Sequence, residues 1–176
     1  VLERPLELVI RNVPTNKAEG DAKALEAMLE EGEIAAVFGG TFNGVTTAYL
    51  DLVHERQIPF VNIWGTVTQV VKNDYEPNFV FCLAMTDMEA SKFMARYGVN
   101  IVGIHQPSIL ADTTVWGNSN AAELINQLDE LGVPAIQIER FSPGDRFMTD
   151  KLERLRASGS DSIFLIGGPL ESTSVM

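Results

Sequence analysis

Residues 34 to 66 read IAAVFGGTFNGVTTAYLDLVHERQIPFVNIWGT, two apolar runs joined by an amphipathic stretch of helical period. The first run ends in Gly39-Gly40, and a polar turn then reaches Asn43-Gly44. The second run, Pro59 to Ile63, ends in Trp64-Gly65-Thr66. Two strands with a helix between them lie parallel and are joined by a right-handed crossover. Both therefore release polar or aromatic groups at their carboxyl ends, where open α/β sheets place ligands. No nucleophile, metal cluster or phosphate loop accompanies them. The stretch reads as a place to hold a small molecule rather than to transform it.

The same alternation runs through most of the chain. Strands are expected at 6–13, 34–39, 59–63, 78–84, 100–106, 134–141 and 161–168. Helices are expected from Lys17 to Glu31, with Ala18, Ala22, Leu25, Met28 and Leu29 on one face, and from Phe42 to Arg56, with Phe42, Val45, Tyr49, Leu52 and Val53 in a stripe. Another runs from a Thr86 cap to about residue 97, with Glu89 completing a capping box. The next covers Gly117 to Leu131, with Ala121, Leu124, Ile125, Leu128 and Leu131 inward and Gly132 at its end. A last full helix follows the SPGD turn, with Met148, Leu152 and Leu155 inward, and ESTSVM resembles a helix barely begun. The rhythm breaks only between Ile63 and Phe79, where a polar loop replaces a helix. Because βα units begin afresh near residues 97–100, we expect one lobe over 1–97 and a second over 98–176. The fold class is α/β, with parallel sheets carrying helices on both faces.

The 176 residues carry a formal net charge of −11, which repels phosphate backbones and anionic lipid. Nucleic acid and membrane surfaces are therefore not expected partners, and no run reaches the ~20 apolar residues of a membrane span. Cys82, the single cysteine, lies in the apolar run FVFCLA and is expected to be a buried, inert thiol.

Several chemistries lack their residues. Gly39 to Gly44 has glycines but no following Lys-Ser/Thr, and neither GxGxxG nor GxSxG occurs. His54 falls near a helix end on its polar side, where a solvated or a dipole-stabilising role is expected. His105 follows the run NIVGI, at what is expected to be a strand's carboxyl end. Two distant histidines and one cysteine do not make a zinc site, and no cofactor is expected. Asp87 and Glu89 suit the positive amino end of the helix they open.

The remaining candidates sit at strand ends. Asn43 and Thr66 offer neutral hydrogen-bonding side chains, and Gly40 and Gly65 permit close backbone approach. Amides opening the helix near Phe42 favour an anion such as a carboxylate. Trp64 and Trp116 each precede a turn glycine, and for both a pocket wall and simple core packing stand as open alternatives.

Read in series, ELVIRNVPTNKAEGDAKALEAMLEEGEIAAVFGGTFNGVTTA, IPFVNIWGTVTQVV, NFVFCLAMTDMEASKFMARY, ADTTVWGNSNAAELINQLDELG and ERFSPGDRFMTDKLERLRASGSDSIFLIGG resemble the type I periplasmic binding fold. The likeness is specifically to the branched-chain amino-acid (Leu/Ile/Val) binding proteins of ABC importers. It implies two Rossmann-like lobes, hinged and closing on a ligand, here incomplete at both ends. The family's first strand and helix, and everything after its eighth strand, have no counterpart, so the chain is expected to be a fragment of about half the fold.

By that resemblance Asn43 stands where a serine usually binds the ligand carboxylate. Trp64, Gly65 and Thr66 match the next ligand-binding turn, and Trp116 fills the place of a cleft-lining aromatic in lobe two. Pro169 departs from an aromatic that often follows the last Gly-Gly. The expected function is an extracytoplasmic, periplasmic solute-binding protein, delivering an amino acid or related small polar solute to an importer permease. The alternative is a ligand-sensing regulatory domain of the same fold.

Overall fold

The computed structural model describes residues 5–12, 18–41 and 43–175. They form two three-stranded parallel sheets flanked by helices, the two lobes of an α/β fold. The first sheet has the order β1 (Val37–Gly39), β2 (Phe60–Asn62), β3 (Val80–Cys82). The second has the order β5 (Gln137–Phe141), β4 (Pro107–Asp112), β6 (Ser162–Ile166).

Register explains which residues of the first sheet are buried. Val37, Phe60 and Val80 lie side by side across the three strands, and all three are buried. They pack with Leu25 of α1 (Ala18–Glu30), Val53 of α3 (Leu50–Glu55) and Val70 of α4 (Thr68–Val71). The alternate residues Phe38 and Phe81 point the other way and are exposed. Position 62 shares the inward parity of Phe60, so Asn62 goes inside as well.

The second sheet is covered on both faces, which is why β4 is buried along its whole length. On one face Ile109 and Ala111 pack with Ala121, Leu124 and Leu128 of α6 (Val115–Glu130), and with Ala95 of α5 (Asp87–Tyr97). On the other, Leu110 and Phe141 pack with Met148 and with Leu155 of α7 (Thr149–Ala157). Helix α5 thus follows β3 of the first sheet but lies on the core of the second.

Four expectations change. Residues 5–12 form no strand; Leu6, Leu8 and Ile10 are exposed. Apolar sequence supplies strand propensity, but a strand also needs a ladder partner, and none is present among the described residues. The stretch 100–106 is not a strand either. A π-helical turn, Gly98–Val102, extends α5 and ends at Gly103 with φ 81°. The strand is instead PSILAD, whose unbroken apolar centre fits the middle of a sheet.

The helix expected from 42 to 56 divides at Tyr49 into α2 (Asn43–Ala48) and α3. Thr47 Oγ1 donates to the carbonyls of Asn43 (3.2 Å) and Gly44 (3.1 Å), while the Tyr49 amide turns back to Thr46 (3.1 Å). Such local bonds compete with the regular helical ladder. Lastly, the 64–78 loop contains the one-turn helix α4. Helices α6, α7 and the short α8 (Pro169–Thr173) stand where the pattern puts them. Val13, Lys17 and Phe42, and the side chains of Ala18 and Val45, lie outside the described residues.

Two outcomes follow from this packing. Phe60 is wholly buried and meets Tyr49 edge-on at 5.4 Å, so Phe60→Ala is expected to cost about 3–5 kcal/mol in urea denaturation. Acid sensitivity should come from Asp161, Glu171 and Glu139. Backbone amides of His105 and Gln106 lower the carboxyl pKa of Asp161, the Gly144 amide lowers that of Glu171, and Arg154 lowers that of Glu139. Each binds its proton less tightly in the folded chain, so its stabilisation is complete above the unfolded carboxyl range, about pH 4–4.5. It is lost as pH falls through the lower folded values. Circular dichroism from pH 7 to 2.5 should show a shallower acid transition for Asp161→Asn/Glu171→Gln, which is also less stable than the parent at pH 7.

Candidate functional site

At the carboxyl ends of β1, β2 and β3 the ladder stops, and the chain turns with Gly40, Asn43, Gly65 and Asp87 buried while Thr41, Trp64 and Leu83 are exposed. Gly40 turns with φ 80° and receives the Gly65 amide on its carbonyl at 2.7 Å. A Cβ at Gly40 would collide with the Asn62 side chain and lie 2.9 Å from Thr46 Oγ1. Gly65 is similarly hemmed in: a Cβ there would meet Thr46 Oγ1 at 2.8 Å, Asn62 Oδ1 at 3.1 Å and Asn43 Oδ1 at 3.3 Å. Both glycines are required by close approach, so the two turns interlock.

Three of the five candidate residues come together here. Asn43, 5% exposed, opens α2 and accepts the Thr66 amide on Oδ1 at 2.7 Å. Its Nδ2 reaches Asp87 Oδ2 at 3.5 Å. The Thr66 carbonyl accepts the Asp87 amide at 2.7 Å, so residue 66 is held on both sides. Thr86 caps α5 as expected, its Oγ1 accepting the Glu89 amide at 3.4 Å.

The two tryptophans differ. Trp64 rides on the same turn with 71% of its surface exposed, and is not core packing. Trp116 lies in the second lobe at the start of α6, 36% exposed. Its helix is set by Asp112, whose Oδ1 accepts from the Thr114 amide (2.9 Å) and hydroxyl (2.5 Å), while Thr114 Oγ1 accepts the Gly117 amide (3.0 Å). The openings of α2 and α6 face each other, with Val115 3.6 Å from where a Cβ of Gly44 would stand.

Most backbone donors of the turn are thus already engaged. The Thr66 hydroxyl and the Trp64 indole N–H make no bond to another described residue, and Asn43 Nδ2 makes only the long one to Asp87. Those neutral donors are what the site presents. The open hollows elsewhere, about 410 Å³ beside Lys72 to Tyr75 and about 550 Å³ along Phe93 and Tyr97, include none of the five. Among the described residues no three His, Cys, Asp or Glu side chains group as metal ligands.

Other residues stand differently from expectation. His54 is buried, not solvated: it stacks on Tyr75 at 3.9 Å, and its Nδ1 meets the Leu50 carbonyl at 2.6 Å. His105 is exposed and precedes β4, so it lies at the amino end of the sheet, away from the site. Cys82 is half-buried at the end of β3, with Asn62 Nδ2 3.3 Å from its Sγ. Asp87 is only 1% exposed and belongs to the Asn43–Thr66 cluster as well as to its helix end. Asn62 was not singled out from sequence, though a polar residue sharing parity with Phe60 in PFVNI was its signal.

The family model described as periplasmic binding protein matches residues 1–175. No curated protein matches by sequence. Among solved structures, the chain is similar to a leucine binding protein from Thermotoga maritima, with TM-score 0.79, 20% identity, and coverage of 94% of this chain and 46% of that one. An ABC transporter substrate-binding protein from Sphaerobacter thermophilus superposes with TM-score 0.85 at 15% identity, covering 94% and 45%. A solute binding protein from R. palustris in complex with 4-hydroxybenzoate gives TM-score 0.77 at 14% identity, covering 89% and 42%. The chain spans less than half the length of each of these structures, and at such identities the likeness is one of fold. On the family match, the chain belongs to the periplasmic binding proteins, a family that binds without catalysing.

Proposed function

We propose that the protein is the extracytoplasmic solute-binding component of an ABC importer, holding a small polar solute between its lobes. The observation that carries this is the cluster of buried Asn43 and Asp87 with half-buried Thr66, beside the start of α6, which carries Trp116. Asn43 Nδ2 and the Thr66 hydroxyl would receive a carboxylate, Gly65 lets the turn that carries Thr66 pack against Thr46 and Asn62, and Trp64 and Trp116 would cover the solute's apolar part. The membrane permease of the importer is the macromolecular partner, and the periplasm the compartment.

Relatives of this fold include a leucine binding protein and one in complex with 4-hydroxybenzoate, which brackets the ligand as an amino acid or an aromatic acid. The carboxylate of Asp87, so little exposed, favours the first. A zwitterion offers it an ammonium, whereas a simple anion would take the neutral donors with the Asp87 carboxylate left uncompensated beside it. Packing of α5 on the second core supports assigning that helix to the second lobe, so that the crossing between lobes falls near 83–86 rather than at 97–100.

Titration calorimetry against a panel of amino acids and hydroxybenzoates tests this reading. Asn43→Ala and Thr66→Ala should each weaken binding of the recognised solute by about 1–3 kcal/mol, through polar partners left unpaired. Unchanged affinity in both variants rejects this pocket.

A further inference from the structure

Asn62 ends the central strand of the first sheet, paired in register with Gly39 on one side and Cys82 on the other. It is 0% exposed. Its side chain bonds to Gly65 in both directions: Oδ1 accepts the Gly65 amide at 3.1 Å, and Nδ2 donates to the Gly65 carbonyl. The carbonyl can be met only by a donor, so the amide orientation is fixed by chemistry. The same side chain fills the space beside Gly40 that a Cβ would need.

We infer that Asn62 is the positioning residue of the site: it touches no solute but sets where Trp64, Gly65 and Thr66 stand. A strand that ends inside a protein leaves backbone groups without ladder partners, and each must be satisfied or costs free energy. Here the Asn62 amide meets both backbone groups of Gly65, sharing the Gly65 N–H with the Gly40 carbonyl of the β1 turn, while Asn43 and the Asp87 amide hold Thr66. Leucine, similar in size, fills the volume but leaves the Gly65 carbonyl without this donor. Aspartate keeps an acceptor; its ionised form lacks the donor, whereas its protonated form restores an O–H to the Gly65 carbonyl. The inference rests on the binding role proposed above, and its test separates the two.

Amide hydrogen exchange is measured on the ligand-free protein, and calorimetry with L-leucine and 4-hydroxybenzoate, for the parent, Asn62→Leu and Asn62→Asp. Exchange of Gly65 and Thr66 should quicken at least tenfold in Asn62→Leu while Phe60 keeps its protection. The dissociation constant of whichever probe the parent binds should rise at least tenfold. In protection factor, which removes the intrinsic pH dependence of exchange, Asn62→Asp should resemble Asn62→Leu at pH 7.5 and return toward the parent near pH 5.

A dissociation constant within twofold of the parent, or turn amides that quicken only in step with Phe60, overturns the inference and leaves Asn62 a residue of general stability. Should the parent bind neither probe, these candidate solutes fail, and the exchange of Gly65 and Thr66 still decides the positioning role.

Discussion

The hydrogen bonds at the carboxyl end of the first sheet hold the candidate site in place. Strands of three residues satisfy few backbone groups, and the turns that follow them keep Gly40, Gly65 and Asp87 buried. Asn62 meets Gly65, Asn43 meets Thr66, and the Asp87 amide meets the Thr66 carbonyl. These bonds lie in a water-poor setting, where each is stronger and each missing one costs more. They tie the ends of β1 and β2 and the start of α5 into one unit. A group of turns is thereby held by hydrogen bonds where the strand ladder has ended.

That unit also reaches the second lobe. Helix α5 begins at Asp87, inside the cluster, and ends with Ala95 in the core of the other sheet. The turn carrying Thr66 is therefore one rigid helix away from β4 and α6, whose opening carries Trp116. Val115 and Gly44 meet across the gap. The covalent path from the first sheet to the second core runs through the few residues between β3 and α5, and α5 is bonded at its start to the Thr66 turn and packed through Ala95 on the second core. The same wiring brings the polar cluster and the aromatic wall to one place.

Much of this was legible in the sequence because two periodicities encode it. Inward apolar residues of α1, α6 and α7 and the alternation of strand with helix set the layers, and the glycines after each run marked the turns. Strand boundaries were less legible. PSILAD is apolar through its centre, yet the preceding NIVGI is apolar too, and only the Gly103 conformation divides them. Residues 6–12 have strand composition but, among the described residues, no ladder in which to use it. Within the site, Asn43, Gly65 and Thr66 were visible as polar or small residues at strand ends. Asn62 was hidden because its function is fixed by pleat parity and by the Gly65 backbone, neither of which is a residue type.

The site's chemistry narrows the solute through charge. The protein carries a formal −11, and the cluster adds Asp87 without a cation bonded to it among the described residues. Its available donors are neutral: an amide, a hydroxyl and an indole. A lone anion would enter against an unfavourable field and find only dipoles to hold it. A dipolar solute avoids that conflict, since its cationic end offsets Asp87 while its carboxylate takes the neutral donors. Under the binding role proposed above, the two exposed tryptophans would suit an apolar body between the charged groups and solvent.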